Sequence, residues 1–386
     1  MSTGPLIYII AGEPSGDLLA ARLMAALKEL TQGNVRFAGI GGEAMREEGL
    51  PSLFPQADLA VMGLAEVLPR IPKILRRQRE TLADIAAKQP DVILTVDSWG
   101  FTGRIAKSLK KAGSTIPRIH YVAPMVWAWK EKRVHQLAER VDRLMCLLPN
   151  EPELFQKAGL NAVHVGHSVL ESGAEQGDGP GFRRLYGIPN QAPLLCVLPG
   201  SRRSETSRLL PVFRDTVSLL VEGRPELRVV VPTVETVAAE VEAEVAQWPV
   251  PVTVVKGRQA RYDAFAASQA ALAASGTVAL ELALAKLPMV IAYRLSPLTA
   301  MIARRLIKLK FVCLINILLD RAVVPELLLE DCRPDKLAPA LIPLLDSEKA
   351  RAEQLSGAAD ALYRLGLGGD SPSLKAAREV LSMIRP

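Results

Sequence analysis

Short apolar runs recur along the chain, each closed by a polar turn and followed by a longer segment of helical spacing. Residues 6–10 lead into AGEPSGD (11–17) and an Ala/Leu-rich helix reaching residue 30. Residues 35–40 end among Gly39, Gly41 and Gly42, ahead of a short helix over 43–48. Residues 91–96, 118–122 and 144–148 are further apolar or β-branched runs, the pattern of parallel strands covered on both faces. A stretch rich in glycine and acid, ESGAEQGDGPG (171–181), then interrupts the rhythm as a linker would. It restarts with strands over 194–198, 228–231, 252–255 and 271–274, a helix over 236–247, and another strand opening at Pro288. Helical spacing fills 335–345, 351–364 and 373–384. Strand alternating with helix in both halves predicts an α/β chain of two Rossmann-like domains, residues 1–168 and 169–365, with a C-terminal helix in 366–386.

One segment departs from this pattern. Residues 59–79 (LAVMGLAEVLPRIPKILRRQR) keep apolar residues at helical spacing but add Arg70, Lys73, Arg76, Arg77 and Arg79. Pro69 and Pro72 are expected to break any single continuous helix there. A second basic, apolar stretch carries Arg294, Arg304, Arg305, Lys308 and Lys310, with no acid between Lys286 and Lys310. Segments of this kind suit an anionic membrane surface or a partner; equally, they are core-facing helices with a solvated basic face.

Composition narrows the field. A chain of 386 residues is too long for one ordinary core. Hydrophobic residues at 49% and charged residues at 23% are those of a globular protein, and aromatics at 5% argue against a base-stacking nucleic-acid surface. Cys146, Cys196, Cys313 and Cys332 lie scattered in apolar contexts without a CxxC pair, as reduced core residues do. No secretory signal is visible, and the longest charge-free stretch (264–280) is too polar to span a bilayer, so membrane contact is expected to be peripheral.

The candidate chemistry sits in the turns. Ser275-Gly276-Thr277 joins a strand to a helix, where unpaired backbone N–H groups can receive an anion. Glu281 lies one turn behind Thr277 on the same face, and a nucleotide sugar needs both features. The other reading is a capped helix with a solvated glutamate. Gly200-Ser201-Arg202 is a second such turn, with a guanidinium able to fork onto phosphate oxygens, or an ordinary turn. Ser15-Gly16-Asp17 reads as a loop contact or a helix cap. Asp97 ends a buried strand at the edge where open α/β sheets hold their ligands, so it is a candidate base as well as a candidate N-cap. Trp127 and Trp129 stand beside Arg133 and could stack on a sugar or headgroup, or pack onto the core. His164 and His167 lack the companions of a metal site, and no metal or other cofactor is expected.

Taken together, GEPSGD, VMGLAEVL, Asp97, HYVAPMVWAWKEKRV, VGHS, LPGSR, ASGTVALE and the Asn316 region stand in the order found in lipid-A-disaccharide synthases. The resemblance runs from residue 11 to residue 345. It implies two Rossmann-like domains facing across a cleft (the GT-B type), with the last helix returning to the first domain. It also implies a metal-independent transfer from UDP-2,3-diacylglucosamine to 2,3-diacylglucosamine 1-phosphate, giving a β-1,6 disaccharide and UDP at the cytoplasmic face of the inner membrane. The donor would lie on Gly200, Ser201, Arg202, Ser275, Gly276, Thr277, Glu281 and Asn316, with Asp97 as base. The acceptor or membrane side would include Ser15, Gly16, Asp17, Met62, Gly63, Trp127, Trp129 and Arg133. Segments 64–79 and 294–310 would seat on anionic phospholipid, and members of the family can form homodimers. Here Asp97 is followed by Ser98-Trp99-Gly100-Phe101-Thr102, where the family usually has Ser or Ala and then Pro-Asp-Phe-Asn. Ile315 stands where it tends to have proline. The peptidoglycan-precursor N-acetylglucosaminyltransferase, a UDP-sugar 2-epimerase and a non-catalytic nucleotide-sugar or lipid binder share the expected architecture but not this set of motifs.

Overall fold

In the first half, six apolar runs pair side by side and all in parallel: β1 (Leu6–Ala11), β2 (Arg36–Ile40), β3 (Val92–Val96), β4 (Arg118–Tyr121), β5 (Arg143–Cys146) and β6 (Ala162–His164), in the order β2-β1-β3-β4-β5-β6. The second half repeats this with β7 (Leu194–Leu198), β8 (Arg228–Thr233), β9 (Val252–Lys256), β10 (Ala270–Ala274), β11 (Met289–Tyr293) and β12 (Glu326–Leu328), ordered β12-β11-β10-β7-β8-β9. The structure, a computed structural model, describes residues 4–59, 64–124, 131–295 and 310–384. The chain divides into two units, Met1–Ser168 with Gly368–Pro386, and Val169–Leu367.

Both sheets are apolar on both faces because helices cover both. In the first unit the helix Pro14–Leu30 buries Leu19, Leu23 and Leu27 against β1 and β3, while Phe101, Ile105 and Leu109 of the helix Trp99–Lys111 cover the other face. The helix Pro372–Leu381 packs on Pro14–Leu30 and buries Ala376, Ala377 and Val380 in the same core. Burying one side chain such as Val380 contributes roughly 1.5–3 kcal/mol. In the second unit, Leu209, Phe213 and Val217 of the helix Arg203–Glu222 fill the corresponding layer. The four cysteines are buried, and burial pushes Cys313 up to about 12 and Cys332 up to about 11, so both stay as thiols.

Two features differ from the sequence-based expectation. The short strands β6 and β12 fall in stretches to which the sequence reading assigned no element, and β12 pairs with β11 alone. The helix Leu64–Lys88 is continuous through Pro69 and Pro72. Proline removes a hydrogen bond but keeps a helical φ, so the ring alone need not end a helix. Three of this segment's basic residues are in ion pairs. Asp58 receives Lys73 and Arg77, and Glu80 receives Arg76 and Arg77. Ile71 and Leu75 stay exposed beside them. Among the described residues no helix is long and apolar enough to cross a membrane.

Candidate active site

Strand order in the first sheet reverses at β1, which lies between β2 and β3. Crevices outside the carboxyl ends of strands at such a reversal are where open α/β sheets bind ligands. At that place lie residues 12–16, the loop after β1 with the first turn of its helix, and residues 97–100, the loop after β3 with the start of the next. Asp97 (φ 51°) and Ser98 (φ 47°) are both left-handed, a conformation that costs non-glycine residues energy and gathers at functional sites. The turn is nonetheless well tied. Ser98 N donates to Asp97 Oδ1 at 2.8 Å, and Thr102 Oγ1 donates to the carbonyls of Asp97 and Ser98 at 3.0 and 3.1 Å. Ser98 Oγ donates to Glu13 Oε1 at 3.1 Å, which brings a second carboxylate to the loop of Asp97. Gly12 lets the two loops approach closely: a Cβ there would meet Ser98 Oγ and Cβ at 3.0 and 3.1 Å.

Trp99 starts the helix behind Asp97 and meets His120 edge-on, with ring centroids 4.8 Å apart. Its ring lies against Gly103, where a Cβ would come within 2.8 Å of the indole. His120 is wholly buried, shares Nδ1 with Thr95 Oγ1 at 2.8 Å, and is held neutral by burial, its pKa lowered to about 3. Ser15 is exposed, whereas Gly16 and Asp17 are buried. Asp17 accepts from the backbone N–H of Gly42 (2.7 Å), Ala44 (3.0 Å) and Met45 (3.2 Å), so it caps the helix Glu43–Glu47 from another part of the chain. Met62, Gly63, Trp127 and Trp129, the side chain of Arg133, and most of segment 294–310 lie outside the described residues, as do the side chains of residues 64–69.

In the second sheet the order reverses between β7 and β10, which pair with each other. The turns Gly200-Ser201-Arg202 and Ser275-Gly276-Thr277 follow these two strands, so the fold sets both at one switch point. Ser201, Arg202, Gly276 and Thr277 are exposed. Gly200 is left-handed at φ 107°. Glu205, in the first turn of the next helix, accepts from Ser201 N and from Arg202 Nη1, both at 3.1 Å. Glu281 accepts from Arg261 Nη2 at 3.0 Å and from the Tyr262 hydroxyl at 3.4 Å. Tyr293 ends β11; burial and then the charge of Glu205 raise its hydroxyl pKa, while Arg202 and Arg208 pull it down. Sequence reasoning passed over Glu13, Glu205, Arg261 and Tyr293. Only Glu205 carried a signal, three residues past the helix cap where a capping glutamate belongs.

Asn316 is placed differently from a ligand-facing residue. It is wholly buried, donating from Nδ2 to Val324 O (2.8 Å) and Glu326 Oε1 (2.6 Å) and accepting at Oδ1 from the N–H of Val323 (2.8 Å) and Val324 (2.9 Å). That uses two donors and two acceptors, the full capacity of an amide. Its work here is to hold the turn leading into β12. Asn316→Ala is expected to lower stability by roughly 2–4 kcal/mol, read as the shift of a denaturant midpoint, because it strands several buried partners.

Two Rossmann-like units, each with its polar turns at the switch point of a parallel sheet, define the GT-B class of fold. The crystal structure of Acinetobacter baumannii MurG shares it, with a TM-score of 0.59 at 13% identity over 98% of this chain and 99% of that one. The chain belongs to the lipid-A-disaccharide synthetase family, whose model matches residues 7–365. It is 61% identical over 382 residues to the lipid-A-disaccharide synthase of Paramagnetospirillum magneticum, covering 98% of each chain. It is 52% identical over 379 residues to that of Rhodospirillum centenum, covering 98% of this chain and 94% of the relative.

Proposed function

We propose that this chain transfers 2,3-diacylglucosamine from its UDP derivative to the 6-hydroxyl of 2,3-diacylglucosamine 1-phosphate. The observation that carries this reading is family membership over nearly the whole length. The two switch points add chemical support. Asp97 takes the proton of the acceptor hydroxyl as its oxygen attacks the anomeric carbon; the bond from that carbon to the diphosphate oxygen breaks, and UDP leaves with its electron pair. A single displacement inverts the anomeric centre and gives the β-1,6 linkage. The N–H groups of the two exposed turns, with Arg202, offset charge on the leaving diphosphate. Glu281 serves the ribose hydroxyls, held in place by Arg261. Asn316 acts through the turn it pins. The transfer takes place at the cytoplasmic face of the inner membrane, where the exposed Ile71 and Leu75 and neighbouring basic residues give the helix Leu64–Lys88 a peripheral foothold.

Incubating the purified chain with radiolabelled UDP-2,3-diacylglucosamine and the monosaccharide phosphate is expected to give a labelled disaccharide phosphate. Absence of product would return the choice to a binder or another UDP-sugar enzyme. In the same assay EDTA is expected to leave the rate unchanged; loss of activity restored by a divalent cation would refute the metal-independent part of the reading.

A further inference from the structure

The groups best suited to receive a diphosphate in the second unit are already engaged by a carboxylate of the chain itself. Glu205 spans from the helix Arg203–Glu222 back to the preceding turn, placing Oε2 on Ser201 N and Oε1 on Arg202 Nη1, each at 3.1 Å. Gly200 makes this possible: a Cβ there would lie 2.5 Å from Glu205 Oε2 and 2.7 Å from its Cβ. The side chain of Glu205 is 13% exposed, while that of Arg202 is 61% exposed. A backbone N–H and a guanidinium on one carboxylate make the geometry of an anion site with its anion bound, and here the anion is covalently attached.

We propose that Glu205 is an internal competitor for the diphosphate of the donor and of the product UDP, a proposal that rests on the reading of this turn as the donor site. Two anions cannot share donors at this distance without strong repulsion, so the diphosphate enters as the Glu205 side chain rotates out. The site is then competent only in the fraction of molecules whose carboxylate has left, and apparent affinity falls by that fraction. For an enzyme that must release a nucleoside diphosphate after every transfer, the returning carboxylate favours departure of product. While no nucleotide is bound, it also keeps Ser201 N–H and Arg202 in the arrangement they will use.

The test is titration calorimetry of UDP into the full-length chain and its Glu205→Gln variant, which keeps the side chain's size but loses its charge. Relieving the competition is expected to tighten UDP binding about tenfold. Glu205→Asp, too short to reach Ser201 N–H from the helix, serves as a second charged variant should Glu205→Gln fail to fold, and it too is expected to bind UDP more tightly. Unchanged or weaker binding in a folded variant overturns the proposal, because a carboxylate that only braced the turn would cost affinity when lost. Arg202→Ala separates the two layers of argument. If it weakens UDP binding while Glu205→Gln does not tighten it, the competitor role alone fails. If it leaves UDP binding unchanged, the donor assignment fails and the competitor role with it.

Discussion

Replacing Asp97 by alanine is expected to lower disaccharide formation by roughly 10²–10⁴-fold, the usual worth of a positioned general base. UDP binding is expected to survive. The expectation rests on where Asp97 stands: at the carboxyl end of β3, beside the reversal of strand order, in a left-handed turn tied by Ser98 N–H and Thr102 Oγ1. Left-handed backbone at two consecutive non-glycine residues is maintained here by hydrogen bonds, and it directs a carboxylate at the strand edge. The cap position of the helix Trp99–Lys111 is taken by Ser98, which leaves Asp97 outside that role. The measurement is the initial rate with both substrates saturating, alongside UDP titration. Retained turnover would reassign the base, with Glu13 next in line because Ser98 Oγ joins it to the same loop.

The second large effect is expected at Arg202. Arg202→Ala removes the one side chain in the Gly200–Arg202 turn that can place two parallel N–H groups on phosphate oxygens. Hydrogen bonds to charged groups are each worth about 1.5–3 kcal/mol, so UDP affinity should fall by roughly 10- to 100-fold. Stability should barely change, since the guanidinium is exposed and an exposed pair such as Arg202 with Glu205 contributes little. An unaltered dissociation constant would move the diphosphate away from this turn.

Much of this was legible in the sequence. The alternation of apolar run, polar turn and helical spacing gave five of the six strands in each parallel sheet, because strands covered on both faces leave a plain apolar signature. The turns at 12–17, 97–100, 200–202 and 275–277 could be picked out because each closes a strand, and the strand order then sets them in pairs at the two reversals. The partners of the side chains could not be read. Asp17 reaches N–H groups 25 to 28 residues away, Glu281 meets Arg261 from another helix, and Asn316 folds inward on the turn that follows. Such pairings follow from how elements stack, which spacing does not encode. The proline rule failed over residues 64–88 because proline's fixed φ is itself helical, so the loss of one N–H at each ring did not end the helix.

The helix Pro372–Leu381 belongs to the core of the first unit, although the whole second unit precedes it in the chain. During synthesis at about 5–20 residues per second, it leaves the ribosome tens of seconds after β6 has been made. Over that interval the outer face of the helix Pro14–Leu30 stays bare, and the second unit can finish folding first. The last piece of the first half is therefore supplied only after the whole second half has been made. A message cut short near its end would yield a second unit joined to a first unit that exposes apolar surface.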